Sequence, residues 1–541
     1  VIIGQCPGRE EDEEGIPFVG SSGGLLTRWL RDVGLSRKDV YITNVVKCHP
    51  PGNRSLYLTE VKACSPYLIE ELKTIKPYVI IPLGDVALKL LTGKEKISEY
   101  RGSILESEYG KVVPTYHPSH IVRGQWHLYG VVINDLKKAV KESAYREIRR
   151  FPTNYDIPFV EVLNAKAVSF DIETTSLRPH EGKVLGIAFS CGKGKAVHLR
   201  LDNSDRNVEL VREVLENPDT TKIVQRGTFD IPFLKHHFGI ETKGKIHDTK
   251  IAGHLLYPIL PNSLPFLSSI YTDVPHYKPP RGIHSILSMS RAELAQYNCS
   301  DADVTYRVYE EQVKELLTEP PELRETFEEV CKAVRVIGDM QLRGTRIDTK
   351  TLNETIEDYR KYVDKVYDAF LRKGINVNSP IQLKEFLARN VKIFVKNTQK
   401  VELQKYDDNP IVELILRYRE KAKLLSTFLE PFKGERIYTI YNLTGTITGR
   451  LSSENPNLQN IPKDVRHIFL PSTDEYFVEA DYSQFELMIY ATLVHDDDML
   501  SDLTSGLRIH DKVANRIYGD REKTHREMKI TKTVVFGTMY G

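Results

Sequence analysis

The closing stretch Arg526-Glu-Met-Lys529-Ile-Thr-Lys532-Thr-Val-Val-Phe536-Gly537-Thr-Met-Tyr540-Gly541 sets two lysines and two rings at steps of three, four and four. On a helix those positions share one face, cations at one end and rings at the other. A nucleoside triphosphate is polarised the same way. Lysines suit its phosphates as point charges, rings can stack its base, and Gly537 lets a substrate approach the backbone. An amphipathic surface helix with ordinary core aromatics carries the same stripe. A second chemical group lies mid-chain. Ala167-Val-Ser-Phe-Asp171-Ile-Glu173-Thr-Thr is β-rich, and on a strand residues i and i+2 point the same way, so both carboxylates face one metal position. Phe229-Asp230 adds a third acid, and Tyr297 and Asp301, at i and i+4 on a predicted helix, add a phenol and a fourth. Four acids that repel one another are costly unless cations occupy the gap, which points to a metal site. Any one of them alone could equally cap a helix or face water.

The elements around the terminal stripe follow from pattern. Tyr476 to Asp481 alternates like a half-buried strand and Phe485 to Leu493 reads as a helix, so Asp481 is expected at a strand's carboxyl end, where α/β folds place chemistry. Asp481-Tyr-Ser-Gln-Phe-Glu486-Leu resembles the first catalytic motif of the family A DNA polymerases, and the closing stretch resembles their fingers helix. Thr448-Gly-Arg450-Leu-Ser-Ser-Glu-Asn-Pro-Asn457-Leu-Gln459-Asn-Ile-Pro462 resembles their primer-template segment. The resemblance runs from about residue 325 to the end. It implies that Asp481 binds two magnesium ions, which activate the primer hydroxyl and steady the leaving pyrophosphate. It also implies that Glu486 and Tyr540 crowd the sugar, Lys532 neutralises triphosphate charge, Phe536 packs on the incoming nucleotide and His510 contacts phosphate. Arg450, Asn457 and Gln459 would touch the primer-template minor groove, whose acceptors are shared by all base pairs. Two departures stand out. Met528 occupies the place of an arginine usual in the family, leaving Arg526 or Lys529 to substitute. The family's second catalytic carboxylate belongs to a later His-Asp-Glu motif, so these residues are expected to hold half of that metal site and not to extend a primer.

The mid-chain acids resemble the DEDD 3′ to 5′ exonucleases that proofread for many family A polymerases. The resemblance implies that Asp171, Glu173, Asp230 and Asp301 hold two magnesium ions while Tyr297 orients the attacking water, removing one nucleotide from a 3′ end. Many relatives carry asparagine where this chain has Arg226. Asp248 reads instead as a helix cap.

Residues 1 to about 140 belong to neither group. Gly4-Gln5-Cys6-Pro7-Gly8, Gly15-Ile-Pro-Phe18-Val-Gly20, Asn44-Val-Val-Lys-Cys48-His-Pro-Pro-Gly-Asn53, Cys64 and His117-Pro118-Ser119 resemble the family 4 uracil-DNA glycosylases. A glycine- and proline-rich loop followed by an exposed phenylalanine, Phe18, can cradle a flipped base, with Asn44 reading its amide edge and His117 near its carbonyl. Gln5 stands where relatives carry an acid, which puts water activation in doubt. The resemblance also implies a four-iron four-sulfur cluster, with Cys48 and Cys64 as its last two thiolates and the first two expected ahead of Val1.

With 541 residues the chain is expected to form several domains. These are an α/β/α glycosylase-like domain (1–143), a linker (144–157), a ribonuclease H-like exonuclease domain (158–318), a helical thumb (322–432) and a partial palm and fingers (433–541) of a right-hand polymerase, making a multidomain α/β protein. With 75 basic and 74 acidic residues the total charge gives no signal for nucleic acid, so binding must come from local patches. Lys137-Lys138 through Arg146, Arg149 and Arg150 reads either as a solvated face or as a DNA-facing junction. Six scattered cysteines give no disulfide framework, and no apolar run reaches membrane-spanning length. The resulting expectation is a DNA-dependent DNA polymerase with a proofreading exonuclease and a uracil-DNA glycosylase-like module that either removes uracil or only senses it, bound to primer-template DNA and deoxynucleoside triphosphates in the cytoplasm of a bacterial or phage-infected cell. An exonuclease or DNA-binding protein with a non-catalytic polymerase remnant is the alternative.

Overall fold

The computed structural model describes residues 1–201, 205–279 and 286–540. The chain folds as two compact units, 1–470 and 471–541. The first unit opens with strands β1 (Ile2–Gly4), β2 (Ile42–Asn44), β3 (Val79–Pro82) and β4 (Lys111–Val112), all parallel in the order β2-β1-β3-β4. Helices α1 (Ser21–Asp32), α2 (Leu58–Ile75) and α3 (Tyr129–Glu142) cover them. Successive strand residues face opposite sides. Ile2 accordingly packs in one core with Leu26 and Trp29 of α1 and Leu136 of α3, while Ile3 packs in another with Leu68 and Leu72 of α2. A sheet apolar on both faces needs cover on both, which produces the α/β/α layering.

The next sheet takes the order β7-β6-β5-β8-β9, from β5 (Ala167–Thr174), β6 (Val184–Gly192), β7 (Lys195–Arg200), β8 (Thr221–Val224) and β9 (Ile246–Asp248). The β5, β6 and β7 strands run antiparallel, and β8 lies parallel to β5 and β9. Val168, Phe170 and Ile172 of β5 enter the core with Val211 and Leu215 of α4 (Asp205–Glu216) and Phe233 and Leu234 of α5 (Gly227–Phe238). The alternate residues Ser169, Asp171 and Glu173 therefore face the other side. Asp248 caps α6 (Thr249–Leu256), accepting from the backbone N–H of Lys250 at 2.9 Å and of Ile251 at 3.4 Å. After α7 (Leu264–Tyr271) comes α8 (Arg291–Thr318), which lies close on the second face because small residues meet there: Ala188 and Ala196 on the sheet, Cys299 and Ala302 on the helix. Ser169 Oγ donates to the Ala302 carbonyl at 2.6 Å.

Pro321 opens α9 (Pro321–Arg343), where its missing N–H costs nothing, and the chain continues through α10 (Thr349–Leu371) and α11 (Pro410–Leu424). Short strands β10 (Thr345–Ile347) and β11 (Arg436–Ile437) pair, β12 (Ile440–Asn442) pairs with β13 (Ser452–Glu454), and β14 (Phe469–Leu470) closes on the free side of β10.

In the basic run at 137–150, Lys137, Arg146, Arg149 and Arg150 are exposed, while Lys138 is taken up inside the fold. The Lys138 ammonium donates to the carbonyls of Ser269, Thr272 and Gly102, and burial lowers its pKa to about 8. Beside it Arg101, fully buried, pairs with Asp135 and donates to Ser269 Oγ at 2.7 Å. These cations fasten α3 to the turn after α7, because a buried charge is stable only when every donor finds an acceptor.

The second unit is built from α12 (Phe485–Val494), α13 (Asp497–Thr504), α14 (Ile509–Tyr518) and α15 (His525–Tyr540), around Leu487, Ala491, Leu503, Ile509 and Val535. The expected strand at Tyr476–Asp481 is not formed. That segment has no regular structure, and Tyr476 and Val478 are 90% and 91% exposed. Alternation makes a strand only where a neighbour takes its backbone hydrogen bonds, and among the described residues of this unit the regular elements are all helices. Asp481 thus sits on an exposed loop before α12, not at a strand's end. Among the described residues no helix is long and apolar enough to cross a membrane.

Candidate active sites

Asp171 and Glu173 come from the second face of β5, and Asp301 comes from α8, one turn after Tyr297. The three carboxylates lie within 4.8 Å of one another, and this is the one group of three or more possible metal ligands among the described residues. Asp230, buried on α5, lies outside that group. Its Oδ1 accepts from the backbone N–H of Ile172, between the two β5 acids, at 3.2 Å. Asn298 Nδ2 donates to Asp171 Oδ2 at 2.8 Å and to the Asp171 carbonyl at 3.0 Å, fixing that carboxylate from α8.

Two further residues complete the cluster. Lys278 pairs with Asp301 and donates to the Tyr297 hydroxyl at 2.8 Å, and the Tyr277 hydroxyl donates to Asp301. Neither was marked by the sequence, since His276-Tyr277-Lys278-Pro279 has no periodicity and lies far along the chain from Asp171, Glu173 and Asp230. A lone lysine in a proline-flanked loop is the one available signal. The electrostatics follow from burial and crowding. Burial, then the charges of Asp301 and Glu173, holds Asp171 well above the usual carboxylate range. Burial, then Asp301, pushes Glu173 up to about 8, and burial pushes Asp230 up to about 7 despite the N–H from Ile172. Burial alone would lower the Lys278 ammonium, but Asp301, Tyr297 and Asp171 outweigh it and hold its pKa above the ordinary lysine value. Three hard oxygen donors that resist ionisation without a cation fit magnesium or manganese.

In the first domain, Gly4 and Asn44 sit opposite each other on paired strands, and a Cβ on Gly4 would lie 2.3 Å from Asn44 Oδ1 and 2.5 Å from the Phe18 ring. Asn44 Oδ1 is buried without a hydrogen-bond partner, an acceptor held for an N–H donor. Phe18 is not exposed as its loop suggested. It is 5% exposed, its ring centroid 5.6 Å from that of His117. Arg37 pins the loop by donating to the carbonyls of Pro17 and Phe18, and this holds Phe18 at φ +57°. His117 Nδ1 accepts from the Ser119 N–H, and burial, then Arg123, lowers its pKa to about 4. The ring is therefore neutral, with its proton on Nε2. Gln5 is half-buried, its carbonyl accepting from Val46 N–H. Cys48 is exposed and Cys64 half-buried, and neither belongs to a group of three or more ligands among the described residues. The described cysteines do not by themselves form a four-thiolate site.

In the same unit, Arg450 is exposed on the loop before β13. Asn457 and Gln459 shape the turn after that strand: Asn457 Oδ1 accepts from Ser453 Oγ and Gln459 N–H, and Gln459 Nε2 donates to the Leu451 carbonyl. In the second unit the helical spacing brings the two rings of α15 together. The Phe536 and Tyr540 rings stack at 6.4 Å, the His510 ring lies 5.4 Å from Phe536, and the Tyr540 hydroxyl donates to Glu486 at 3.4 Å. Lys529 and Lys532 are exposed on α15. His510 Nδ1 is buried without a partner, and burial, then Lys532, lowers its pKa.

Comparison with known proteins agrees with this three-part organisation. The family model for DNA polymerase family A matches residues 347–541, that for the uracil DNA glycosylase superfamily residues 1–145, and that for 3′-5′ exonuclease residues 157–317. DNA polymerase I of Synechocystis sp. is 30% identical over 418 residues, covering 69% of this chain and 42% of that protein. The type-4 uracil-DNA glycosylase of Thermotoga maritima is 44% identical over 143 residues, 26% of this chain and 74% of that protein. The DNA polymerase of Bacillus phage SP01 is 24% identical, with 100% of this chain and 72% of that protein covered. Among solved structures, the POL domain of Pol1 from M. smegmatis, in complex with DNA primer-template and dNTP, shares the fold with a TM-score of 0.56 at 21% identity, over 71% of this chain and 69% of that one. The chain spans about half or less of the length of the bacterial polymerases I it matches, from 42% to 51%. The chain therefore carries, in order, a domain of the type-4 uracil-DNA glycosylase family, a 3′-5′ exonuclease domain and a region of the DNA polymerase family A.

Proposed function

We propose that the protein is a DNA-dependent DNA polymerase whose proofreading exonuclease is contained in these residues, coupled to a domain that binds uracil. The observation that carries the reading is the gathering of Asp171, Glu173 and Asp301 within 4.8 Å. Magnesium ions, when bound, would supply Lewis-acid activation of water and stabilise the departing 3′ oxygen. Asp171, Glu173 and Asp301, with Asp230 completing the set, would hold them. Asn298 keeps Asp171 aimed. Tyr297 accepts from Lys278, which leaves its own O–H free to donate to the attacking water and orient it. The substrate is the 3′ end of a DNA strand, cut one nucleotide at a time.

In the polymerase region Lys529, Lys532 and His510 would meet the triphosphate, Phe536 the base, and Glu486 and Tyr540 the sugar. Asp481 would take a magnesium ion, and Arg450, Asn457 and Gln459 the primer-template minor groove. Support comes from the unpartnered His510 Nδ1 and the stacked rings beside it. In the first domain Phe18, Asn44 and His117 would hold a flipped uracil. Asn44 Oδ1 would accept its ring N–H and His117 Nε2 would donate to a carbonyl, with Gln5 in place of a water-activating acid. Cys48 and Cys64 are assigned as two of the four thiolates of an iron-sulfur cluster. The domains are divided at 1–143, 158–318, 322–432 and 433–541, with 144–157 as linker, and bacterial and phage relatives favour the cytoplasm of a bacterial or phage-infected cell. A second reading, in which the 541 residues degrade and bind DNA without extending it, is favoured by the exposed loop that carries Asp481.

The test is digestion of 5′-labelled single-stranded DNA by the chain with magnesium. A ladder shortening from the 3′ end, lost in Asp171→Ala, is expected. Full-length DNA after prolonged incubation with either magnesium or manganese would refute the reading.

A further inference from the structure

The acid cluster lies in a cavity of about 1600 Å³ whose opposite wall belongs to the glycosylase-like domain. Lys94, Lys96, Ser98, Tyr100 and Tyr116 line it together with Asp171, Glu173, Tyr297 and Asp301. That volume exceeds the ~300–1,000 Å³ of a typical small-molecule cleft, so it suits an oligomer better than a mononucleotide. The wall is fixed in place. Arg101, Asp135 and Lys138 fasten the first domain to Ser269 and Thr272, and the Tyr100 ring meets the edge of His276 at 4.9 Å, two residues before Lys278.

The chemistry of the wall is that of a strand-binding surface. Lys94 is exposed, its ammonium 5.4 Å above the Tyr100 ring, and Lys96 is exposed beside it. Glu95 pairs with Lys89 at 2.7 Å, and Lys96 itself pairs with Glu99 at 3.1 Å, a partly exposed ion pair of the weak surface kind that a DNA phosphate can displace. Cations that track a phosphate backbone, interleaved with a ring that can stack a base, are the usual means of holding a single strand without reading its sequence.

Resting on the exonuclease reading above, we propose that residues 94–100 of the glycosylase-like domain form the strand-binding wall of the exonuclease cleft. Lys94 and Lys96 hold the phosphates, and Tyr100 a base, of the single-stranded DNA upstream of the bond being cut. One domain thus serves two sites: His117 faces the uracil pocket while its neighbour Tyr116 lines this cleft.

The experiment uses the full 541-residue chain with magnesium and compares kcat/KM on a long oligothymidylate with that on the dinucleotide, which offers the wall fewer phosphates and bases. In Lys94→Ala/Lys96→Ala the ratio of the two is expected to fall about tenfold, and the salt slope of the long substrate to drop by roughly 0.7 per lysine removed. In Tyr100→Leu, which keeps an apolar side chain at a half-buried position, the ratio is also expected to fall about tenfold. A ratio that stays constant in all these variants, whatever their absolute rates, overturns the proposal. Failure of the unaltered chain to cut either substrate would instead sink the exonuclease reading, and the proposal with it.

Discussion

Strand β5 and the segment at 476–481 carry the same kind of pattern, apolar residues alternating with acids, yet one is a central strand and the other an exposed loop. In β5, Val168, Phe170 and Ile172 are at most 4% exposed and the strand pairs with β6 on one side and β8 on the other. In 476–481, Tyr476 and Val478 are nine-tenths or more exposed, and among the described residues no strand lies alongside. The difference lies in what surrounds each pattern. Alternation states which face a residue will take if a sheet exists, and it does not supply the sheet. The chemistry follows suit. Asp171 and Glu173 are held in a crowded, poorly solvated group that demands a cation, whereas Asp481 stands in water.

The largest effect should come from moving one mutation between these regions. Asp171→Ala removes a ligand from the buried group and is expected to lower exonuclease turnover by at least about 10³-fold, given the several kcal/mol that a metal ion lends a phosphoryl transition state. Asp481→Ala is expected to leave that turnover unchanged. Single-turnover digestion of labelled DNA reads both, and equal losses would erase the contrast.

Amide exchange sharpens the same comparison. Amides of β5 should exchange only through global opening and be slowed more than about 10³-fold relative to those at 476–481. Mass-spectrometric exchange on peptides from the two segments decides it.

Lys278 offers a third approach. It neutralises Asp301 inside the acid group, so Lys278→Ala should destabilise the metal-free protein by about 3 kcal/mol, by leaving a buried charge unpaired. With saturating magnesium the loss should shrink, because the ion takes over the same charge. Denaturant melts with and without the metal check this, and an equal loss in both would contradict it.

The smallest effect is one of pH. Glu173 has its folded pKa raised to about 8, and Asp171 is raised well above its usual value. Between the ordinary carboxylate range and pH 8 the folded state then holds more protons than the unfolded. The Glu173 contribution to metal-free stability should therefore fall as pH rises through that window and level off above it. Magnesium should flatten the profile. Thermal melts at several pH values, with and without the ion, measure the slope, and a metal-free profile that rises with pH would be the wrong sign.

Much of the architecture was legible because it rests on local period. The alternation of Ile2 and Ile3 between two cores, the i and i+2 acids of β5, the Tyr297–Asp301 turn of α8 and the stripe from Lys529 to Tyr540 all follow from geometry within one element. What was missed depends on tertiary neighbours. Lys278 and Tyr277 reach the acids from a loop without pattern, and Phe18 is buried because His117 and Gly4 close on it from other elements. Lys138 was read as a surface charge, since nothing in its own helix announces that the Ser269 and Thr272 carbonyls wait for it.

The most direct test of the central claim, that the buried acids form a divalent-cation site, is a crystal structure of the chain grown with manganese and examined for anomalous scattering. The account predicts a peak bridged by Asp171, Glu173 and Asp301, with the Lys278 ammonium withdrawn from Asp301. Diffraction to good resolution with no anomalous density there, and the Lys278–Asp301 pair intact, would contradict it.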